Sequence, residues 1–323
     1  MDPAIARRLA SPDCYLHALD GAAAQFLPMD RAAYRRSIFL DHRISPADGE
    51  AFVLDLAGLA GVVPDAVPAG WIFHVAHCGS TLLARALEQL TDTLVLREPL
   101  ALRQLALDPD QRVLPIVLAL LARRYPGAGR TVIKANVPVN FMLDKIAAAD
   151  PEAPAILLYS HLPDYLLAVL RSPNHRGWVR TISGQLAAHI GSQDASSDAE
   201  LAAALWLAQH RRFAAALLAM PQARTLEAEQ FYADPAAALT KAAALYGLPS
   251  DPALAAQIAA GPLFATYSKN SGQAFDNAAR LARRDYLAGQ LGGELAEAAA
   301  WLDRHGVDAD ALVATLDQAA LMA

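Results

Sequence analysis

The regular alternation of short apolar segments with longer helical ones is the feature that most constrains the fold. Five segments are rich in β-favouring residues and have the length of strands: WIFHVA (71–76), TLVL (93–96), TVIKANVP (131–138), AILLYSH (155–161) and RTLEAE (224–229). Helical spacing of apolar residues marks the stretches between them. Because strands alternating with helices favour βαβ units, we predict an α/β fold with a mainly parallel sheet flanked by helices.

The segment before the first of these strands has a different character. It contains short helical stretches and turns, for example RAAYRRSIFL with Asp30 as its N-cap. We therefore predict a helical N-terminal extension over residues 1–70 and an α/β domain over residues 71–323. The alanine-rich stretch from about Arg280 onwards is predicted to be helical as well.

Composition excludes several classes of protein. Lys and Arg number 27 and Asp and Glu 33, a net charge of −6, so we expect no nucleic-acid partner bound through a basic surface, although a local anion pocket is compatible. Two cysteines, Cys14 and Cys78, make no disulfide framework and fit a reducing cytoplasm. The first residues lack the apolar stretch of a signal peptide, and no apolar run reaches the ~18 residues that span a bilayer. We expect a cytoplasmic protein without a membrane span.

Residues near or just beyond the carboxyl ends of the predicted strands are the candidates for function, because ligands bind beyond those ends in open parallel sheets. They are His77–Thr81, Glu98, Lys134–Asn136, Ser160–His161 and Glu229.

The first of these groups, HCGST, connects a strand to a helix through a tight turn. Such a turn presents backbone N–H groups and the positive end of the helix dipole to an anion, and Gly79 permits close approach of a phosphate. The window His74–Thr81 matches the P-loop pattern only at its final Gly and Thr, with Ser80 in place of the lysine. A plain strand-to-helix turn with Ser80 as N-cap is the alternative.

Several segments, in order along the chain, resemble those of sulfotransferases. FHVAHCGSTLLARAL is similar to their 5′-phosphosulfate loop and the helix behind it, and REPL to the place where the bacterial and tyrosylprotein-type branch keeps a glutamate base. VIKANVP resembles the third-strand segment with its lysine, and LEAEQFYADPAAAL…YGLP resembles a late family element with Glu229 at its glutamate. The resemblance covers about Trp71 to Ser271.

The resemblance implies a P-loop-type sulfotransferase fold and transfer of a sulfuryl group from 3′-phosphoadenosine 5′-phosphosulfate to a hydroxyl or amine. Glu98 would be the base, and Lys134 and His77 would stabilise charge on the transferred sulfuryl group and the leaving phosphate. No metal is expected, and the acceptor would be a small molecule or a peptide. The residues expected to bind the donor are Cys78, Gly79, Ser80, Thr81, Leu82 and Ser160, together with Ser268 and Lys269 of the late polar loop.

The chain also departs from the family pattern. His77 stands where the family has Lys or Arg, which replaces a permanent charge by a titrating one. Asn136 stands where other members place a histidine base, so the base role passes to Glu98. Ser160 and Ala168 stand where the family has the arginine and serine that bind the 3′-phosphate. Basic residues after the fourth strand are candidates to replace that charge: His161, Arg171, Arg176 and Arg180.

Other interpretations stay open at this stage. Glu98 could simply pair with Arg97 or Arg103, and Lys134 could be a solvated lysine at a sheet edge. Two other functions are a P-loop kinase that uses ATP, and a non-catalytic protein that binds a phosphate-bearing ligand or a protein partner. No pair of residues has metal-ligand spacing.

Overall fold

Ten strands form three sheets in the part of the chain that the computed structural model describes, which comprises residues 3–59, 61, 63, 67–191, 194–267, 270–274 and 277–322. In chain order they are β1 (Cys14–Asp20), β2 (Ala23–Pro28), β3 (Phe52–Asp55), β4 (Gly70–His74), β5 (Val95–Arg97), β6 (Val132–Lys134), β7 (Ala155–Tyr159), β8 (Ala223–Glu227), β9 (Thr266–Tyr267) and β10 (Asn270–Ala274).

Seventeen α-helices and one 3₁₀ helix (Val137–Met142) occur in the same residues. The α-helices are α1 (Pro3–Ala10), α2 (Arg31–Arg36), α3 (Leu56–Leu59), α4 (Ser80–Leu90), α5 (Leu100–Leu107), α6 (Leu114–Leu121), α7 (Leu143–Ala149), α8 (Leu162–Leu170), α9 (Pro173–Gln185), α10 (Ala187–Ile190), α11 (Asp198–Ala219), α12 (Ala228–Ala233), α13 (Pro235–Leu245), α14 (Pro252–Ala259), α15 (Asn277–Gln290), α16 (Gly292–Arg304) and α17 (Ala309–Asp317).

The central sheet has five parallel strands in the order β5-β6-β4-β7-β8. Every residue of β4 and β7 is buried, as expected for parallel strands covered by helices on both faces. The predicted α/β fold with a parallel sheet is therefore confirmed. After β4 the chain adds β5 and β6 on one side of β4, and then β7 and β8 on the other side. The strand order therefore reverses at β4, and open parallel sheets bind ligands at the carboxyl end of such a switch point.

The N-terminal segment differs from the prediction of a helical extension, because β1, β2 and β3 form an antiparallel sheet. A two-residue loop, Gly21-Ala22, joins β1 to β2, and Gly21 has a φ of 55°. Glycine at the first position of a two-residue loop between apolar runs is typical of a β-hairpin. The predicted N-cap is confirmed, since Asp30 accepts a hydrogen bond from Ala33 N at 2.6 Å, but the helix ends at Arg36.

Arg97, the last residue of β5, ties the N-terminal segment to the central sheet. Its buried guanidinium donates to the carbonyl of Ser37 at 2.7 Å and pairs with Glu88 at 2.9 Å. The backbone of Leu40 bonds to the carbonyl of Arg97 at 2.8 Å. Because these contacts hold residues 37–40 against the end of β5, the next residues lie beside the carboxyl edge of the sheet.

The C-terminal region is helical from α15 through α17, as predicted. None of the helices in the described ranges is long and apolar enough to cross a membrane.

Candidate functional site

The loop between β4 and α4 has an unusual backbone. Ala76, His77 and Gly79 all have positive φ, at 75°, 53° and 89°. Left-handed conformations cost energy in residues other than glycine and cluster at ligand-binding and catalytic sites. Gly79 is the N-cap of α4 and provides no side-chain hydrogen bond, so the N–H groups of the first helical turn are oriented for an anion.

Two aromatic side chains explain why position 79 requires glycine. A Cβ there would lie 3.0 Å from Tyr232 Oη and 3.1 Å from the ring of Phe231. The sequence argument expected a Cβ to crowd a phosphate, whereas the structure shows that it would first meet this aromatic wall. Tight packing and positive φ together restrict the position to glycine.

Glu98, Lys134 and His74 form a buried cluster at the carboxyl ends of three neighbouring strands. Lys134 Nζ donates to Glu98 Oε1 and lies 3.0 Å from His74 Nε2. His74 Nε2 lies 3.8 Å from Glu98 Oε1. The side chain of Lys134 is 0% exposed and that of Glu98 is 17% exposed. Removing either partner of such a pair would leave the other charge buried without compensation, which is strongly destabilising.

The parallel register explains why residues distant in the chain meet here. Lys134 at the end of β6 pairs with Arg97 of β5 on one side and with Ile72 of β4 on the other. Glu98 follows β5 directly with a φ of 57°, and its backbone N–H donates to the carbonyl of Lys134 at 2.7 Å. This sharp turn places the Glu98 carboxylate beside the amine of Lys134.

These contacts exclude two of the alternative interpretations. Arg97 pairs with Glu88, and Arg103 donates to Gln185 at 2.9 Å, so neither arginine is the partner of Glu98. Lys134 is fully buried in the interior of the sheet and is not a solvated lysine at an edge.

His77, which the sequence analysis placed beside the transferred group, lies outside this cluster. Its ring centroid is 4.9 Å from that of His175 and 5.5 Å from that of Trp178, which meets it edge-on. His74, and not His77, is the histidine that contacts Lys134 and Glu98. The sequence analysis did not propose His74 for function. Its position at the end of β4, where the P-loop pattern has its first glycine, is the sequence feature that could have indicated a role.

A cavity of about 600 Å³ opens above the buried cluster, and we call it the Glu98 cavity. Glu98 and His74 lie at its base, and Phe39, Trp178 and Ile182 contribute apolar walls. Asn136 also lines it, and its Oδ1 has no hydrogen-bond partner among the described residues. Polar and charged side chains make up more than half of the lining, among them Asp41, Arg43 and Arg103, so the apolar walls lie beside groups that can hydrogen-bond to a ligand.

A second cavity of about 530 Å³ lies on the other side of the β4–α4 loop, and we call it the arginine cavity. Residues 79–82, Ser160 and Ala168 form part of its lining. Four arginines line it as well, against two carboxylates: Arg171, Arg280, Arg283 and Arg284, with Asp164 and Glu229. His77 and His175 line both cavities, so the two cavities meet at these histidines.

Ion pairs hold α15 against the arginine cavity. Arg280 binds Glu229 through two hydrogen bonds of 2.7 and 2.6 Å, and Arg284 pairs with Asp164 at 2.7 Å. Arg283 has no ion pair within the described ranges and is exposed at the cavity. The local excess of positive charge suits an anionic ligand, although the protein as a whole is acidic.

The other predicted residues divide into those that reach a cavity and those that do not. Arg171 reaches the arginine cavity, whereas Arg176 and Arg180 pair with Asp198 outside both. His161 is exposed beside Tyr159 and lines neither. Ser268 and Lys269 lie outside the described residues.

Cys78 is buried within the loop and is poorly suited to be a nucleophile. Burial raises the pKa of its thiol to about 11, although Lys134 acts in the opposite direction. Its Sγ lies 3.8 Å from the carbonyl of Leu158. Cys78 therefore contributes packing and its backbone to the loop.

No group of three or more His, Cys, Asp or Glu side chains that could hold a metal ion occurs in the described part of the chain.

Comparison with known proteins gives matches of low sequence identity among solved structures. No protein-family model and no curated protein matches the chain. Among solved structures, it is similar to a sulfotransferase from Alicyclobacillus acidocaldarius, with 13% identity and a TM-score of 0.40 over 76% of this chain and 99% of that one. It is also similar to a sulfotransferase domain from the curacin biosynthetic pathway, with 14% identity and a TM-score of 0.38 over 58% of this chain and 77% of that one.

Proposed function

We propose that this protein is a sulfotransferase that transfers a sulfuryl group from 3′-phosphoadenosine 5′-phosphosulfate to a hydroxyl or amine acceptor. The observation that carries the proposal is the buried Glu98–Lys134 pair, which lies beside a strand–loop–helix element with an uncapped helix N-terminus. The resemblance of the loop and of both strand-end segments to sulfotransferases points to the same chemistry.

The arginine cavity is the proposed donor site. In the proposal, the backbone N–H groups of residues 78–82 and the hydroxyls of Ser80 and Thr81 bind the 5′-phosphosulfate. Ser160 lacks the charge that the family resemblance expects at that position. Arg283 of α15 faces the same cavity, and we assign it the 3′-phosphate in place of the missing arginine.

The Glu98 cavity is the proposed acceptor site. Glu98 accepts the proton of the attacking hydroxyl or amine as the new S–O or S–N bond forms. The bond between sulfur and the 5′-phosphate oxygen breaks, and the bonding electron pair leaves with 3′,5′-adenosine bisphosphate. Lys134 stabilises the charge on the transferred group, and His77, at the junction of the two cavities, faces the leaving oxygen.

Size and lining of the Glu98 cavity indicate the acceptor class only broadly. A volume of about 600 Å³ accommodates a small molecule or the side chain of a peptide. The walls formed by Phe39, Trp178 and Ile182 favour an acceptor with an apolar body that directs its hydroxyl or amine to Glu98.

Isothermal titration calorimetry with 3′,5′-adenosine bisphosphate tests the donor site. We expect binding, with weaker binding of 5′-AMP, which lacks the 3′-phosphate. Transfer of ³⁵S from labelled donor to a panel of phenols, alcohols and amines then tests the chemistry. No heat at millimolar bisphosphate would overturn the proposal. Magnesium-dependent ATP turnover would identify a kinase, and nucleotide binding without transfer to any acceptor would favour a non-catalytic binding protein.

A further inference from the structure

We infer that His74 is a positioning residue that couples the β4–α4 loop to the Lys134–Glu98 pair through the two nitrogens of one ring. Its predicted kinetic effects rest on the proposed function, but the contacts that carry the inference do not. The His74 side chain is only 6% exposed and sits between the two elements.

Nδ1 of His74 holds the loop. It accepts a hydrogen bond of 3.0 Å from the backbone N–H of Ala76. Ala76 has a φ of 75°, which is costly for a residue with a Cβ. The bond therefore stabilises the first of the left-handed residues that shape the loop before α4.

Nε2 faces the Lys134–Glu98 pair. It lies 3.0 Å from Lys134 Nζ and 3.8 Å from Glu98 Oε1. Because Nδ1 accepts a hydrogen bond, a neutral ring carries its proton on Nε2. The amine of Lys134 is a donor as well, so the two nitrogens do not bond to each other. Both are directed to Glu98 Oε1, which the amine reaches directly and the ring nitrogen approaches to 3.8 Å.

The backbone of His74 is anchored as well. Its carbonyl accepts a hydrogen bond of 3.0 Å from Asn140 Nδ2, which also donates to Gln209 Oε1 at 2.9 Å. His74 ends the central strand β4, which is paired on both sides. With its main chain held and both nitrogens engaged, the ring couples the loop rigidly to the amine of Lys134.

Two conservative variants separate the two contacts. The Asn amide occupies the place of Nδ1, so His74→Asn retains an acceptor for Ala76 and loses the contact with Lys134. The longer Gln amide reaches the place of Nε2, so His74→Gln does the opposite. We expect His74→Asn to keep bisphosphate affinity within about twofold and to lose roughly tenfold or more in kcat, and His74→Gln to weaken bisphosphate binding by about fivefold or more with a smaller loss of kcat.

His17 offers a matched control, because it is also buried and lies in the N-terminal sheet. His17→Asn and His17→Gln should change neither affinity nor kcat. Equal losses of affinity and kcat in both His74 variants, or none in either, would overturn the coupling.

Nitrogen-15 NMR of histidine-labelled wild-type protein tests the contacts without substrate and without relying on the folding of variants. We expect the His74 ring to show the Nε2–H tautomer, and its Nε2 resonance to shift in Lys134→Met. An Nδ1–H tautomer would refute the inference. Absence of bisphosphate binding by the wild type would refute the proposed function while leaving this NMR result to decide the role of His74.

Discussion

The two cavities that meet at His77 and His175 are built in different ways. The Glu98 cavity lies above the side chains of Glu98, Lys134 and His74 at the ends of three neighbouring parallel strands. Lys134 is fully buried there against Glu98. The arginine cavity is closed by α15, which has no buried residue in the described part of the chain and is held by ion pairs such as Arg280–Glu229. One side is rigid and preorganised, and the other relies on charge at the surface.

This difference matches what the two halves of the proposed reaction require. Stabilising charge in a transition state depends on groups fixed before the reaction begins. Capture and release of a highly charged nucleotide requires a site that can loosen, and partly exposed ion pairs weaken readily in salt. Substitutions in the Glu98 cavity should therefore alter turnover, and substitutions in the arginine cavity should alter affinity.

The largest effect is expected from Glu98→Gln, which keeps size and polarity and removes the proposed base. Turnover with the best acceptor of the panel should fall by about 10²–10⁴-fold. Bisphosphate affinity, measured by calorimetry, should stay nearly unchanged because Glu98 lies in the other cavity. Full turnover in this variant would show that Glu98 is not the base.

Lys134→Met should follow closely, with a fall in kcat of about 10²–10³-fold, because it removes the preorganised donor that we propose stabilises the transferred group. The variant also leaves Glu98 without its buried partner, so its unfolding should be monitored by circular dichroism. Lys145→Met is the matched control, since Lys145 is exposed on α7 and outside both cavities. Equal kinetics in the two variants would contradict the role of Lys134.

A buried histidine, His210, should make the free energy of unfolding depend on pH. His210 is buried on Trp206, whose Nε1 donates to the carbonyl of Ser160 at 2.9 Å. Burial lowers the pKa of His210 to about 3. As the pH falls, the histidine therefore takes up a proton in the unfolded chain before it does so in the folded chain. The contribution of neutral, buried His210 to the free energy of unfolding is complete above about pH 6.5 and is lost as the pH falls toward 3.

At pH 5 this linkage amounts to about 2 kcal/mol, or roughly 30-fold in the unfolding constant. Urea denaturation at pH 7 and pH 5 measures it, and His210→Gln should reduce the difference between the two values. An unchanged difference in the variant would assign the pH dependence to other groups.

Gly79→Ala should weaken bisphosphate binding by about tenfold, because its Cβ would press on Phe231 and Tyr232 and distort the loop. Gly127→Ala is a close control. Its φ of 76° is similar, but no atom lies within 4 Å of the added Cβ. Both variants carry the backbone strain, and only Gly79→Ala should lose affinity. If the two bind the bisphosphate equally well, the loop does not contact it.

The smallest effect is expected from Arg283→Ala, which should weaken bisphosphate binding by about fivefold and leave 5′-AMP binding unchanged. The loss should shrink as salt is raised. Arg211→Ala removes the same charge from an exposed position of α11 outside the arginine cavity, and should have no effect. An equal loss for both nucleotides would assign Arg283 to a different part of the ligand.

Much of the fold was readable from the chain because local patterns encode it. The alternation of apolar strands and helices predicted the parallel sheet, and the positions of Glu98 after one strand and of Lys134 near the end of another predicted that both would lie at its carboxyl edge. The hairpin with its loop at Gly21-Ala22 is equally local, although the helical interpretation of this segment did not include it. The catalytic and donor-binding roles of these residues stay predictions.

What the sequence by itself determined is thus the order of strands and helices in the central sheet, from β4 to β8, and which residues lie at the end of each of these strands, because hydrophobic periodicity and turn residues act over short distances. Only the tertiary structure decided that His74 rather than His77 contacts Lys134, and that arginines of α15 reach the cavity beside Ser160. Strand order, register and the docking of a distant helix depend on contacts between residues far apart in the chain, and no local pattern records them.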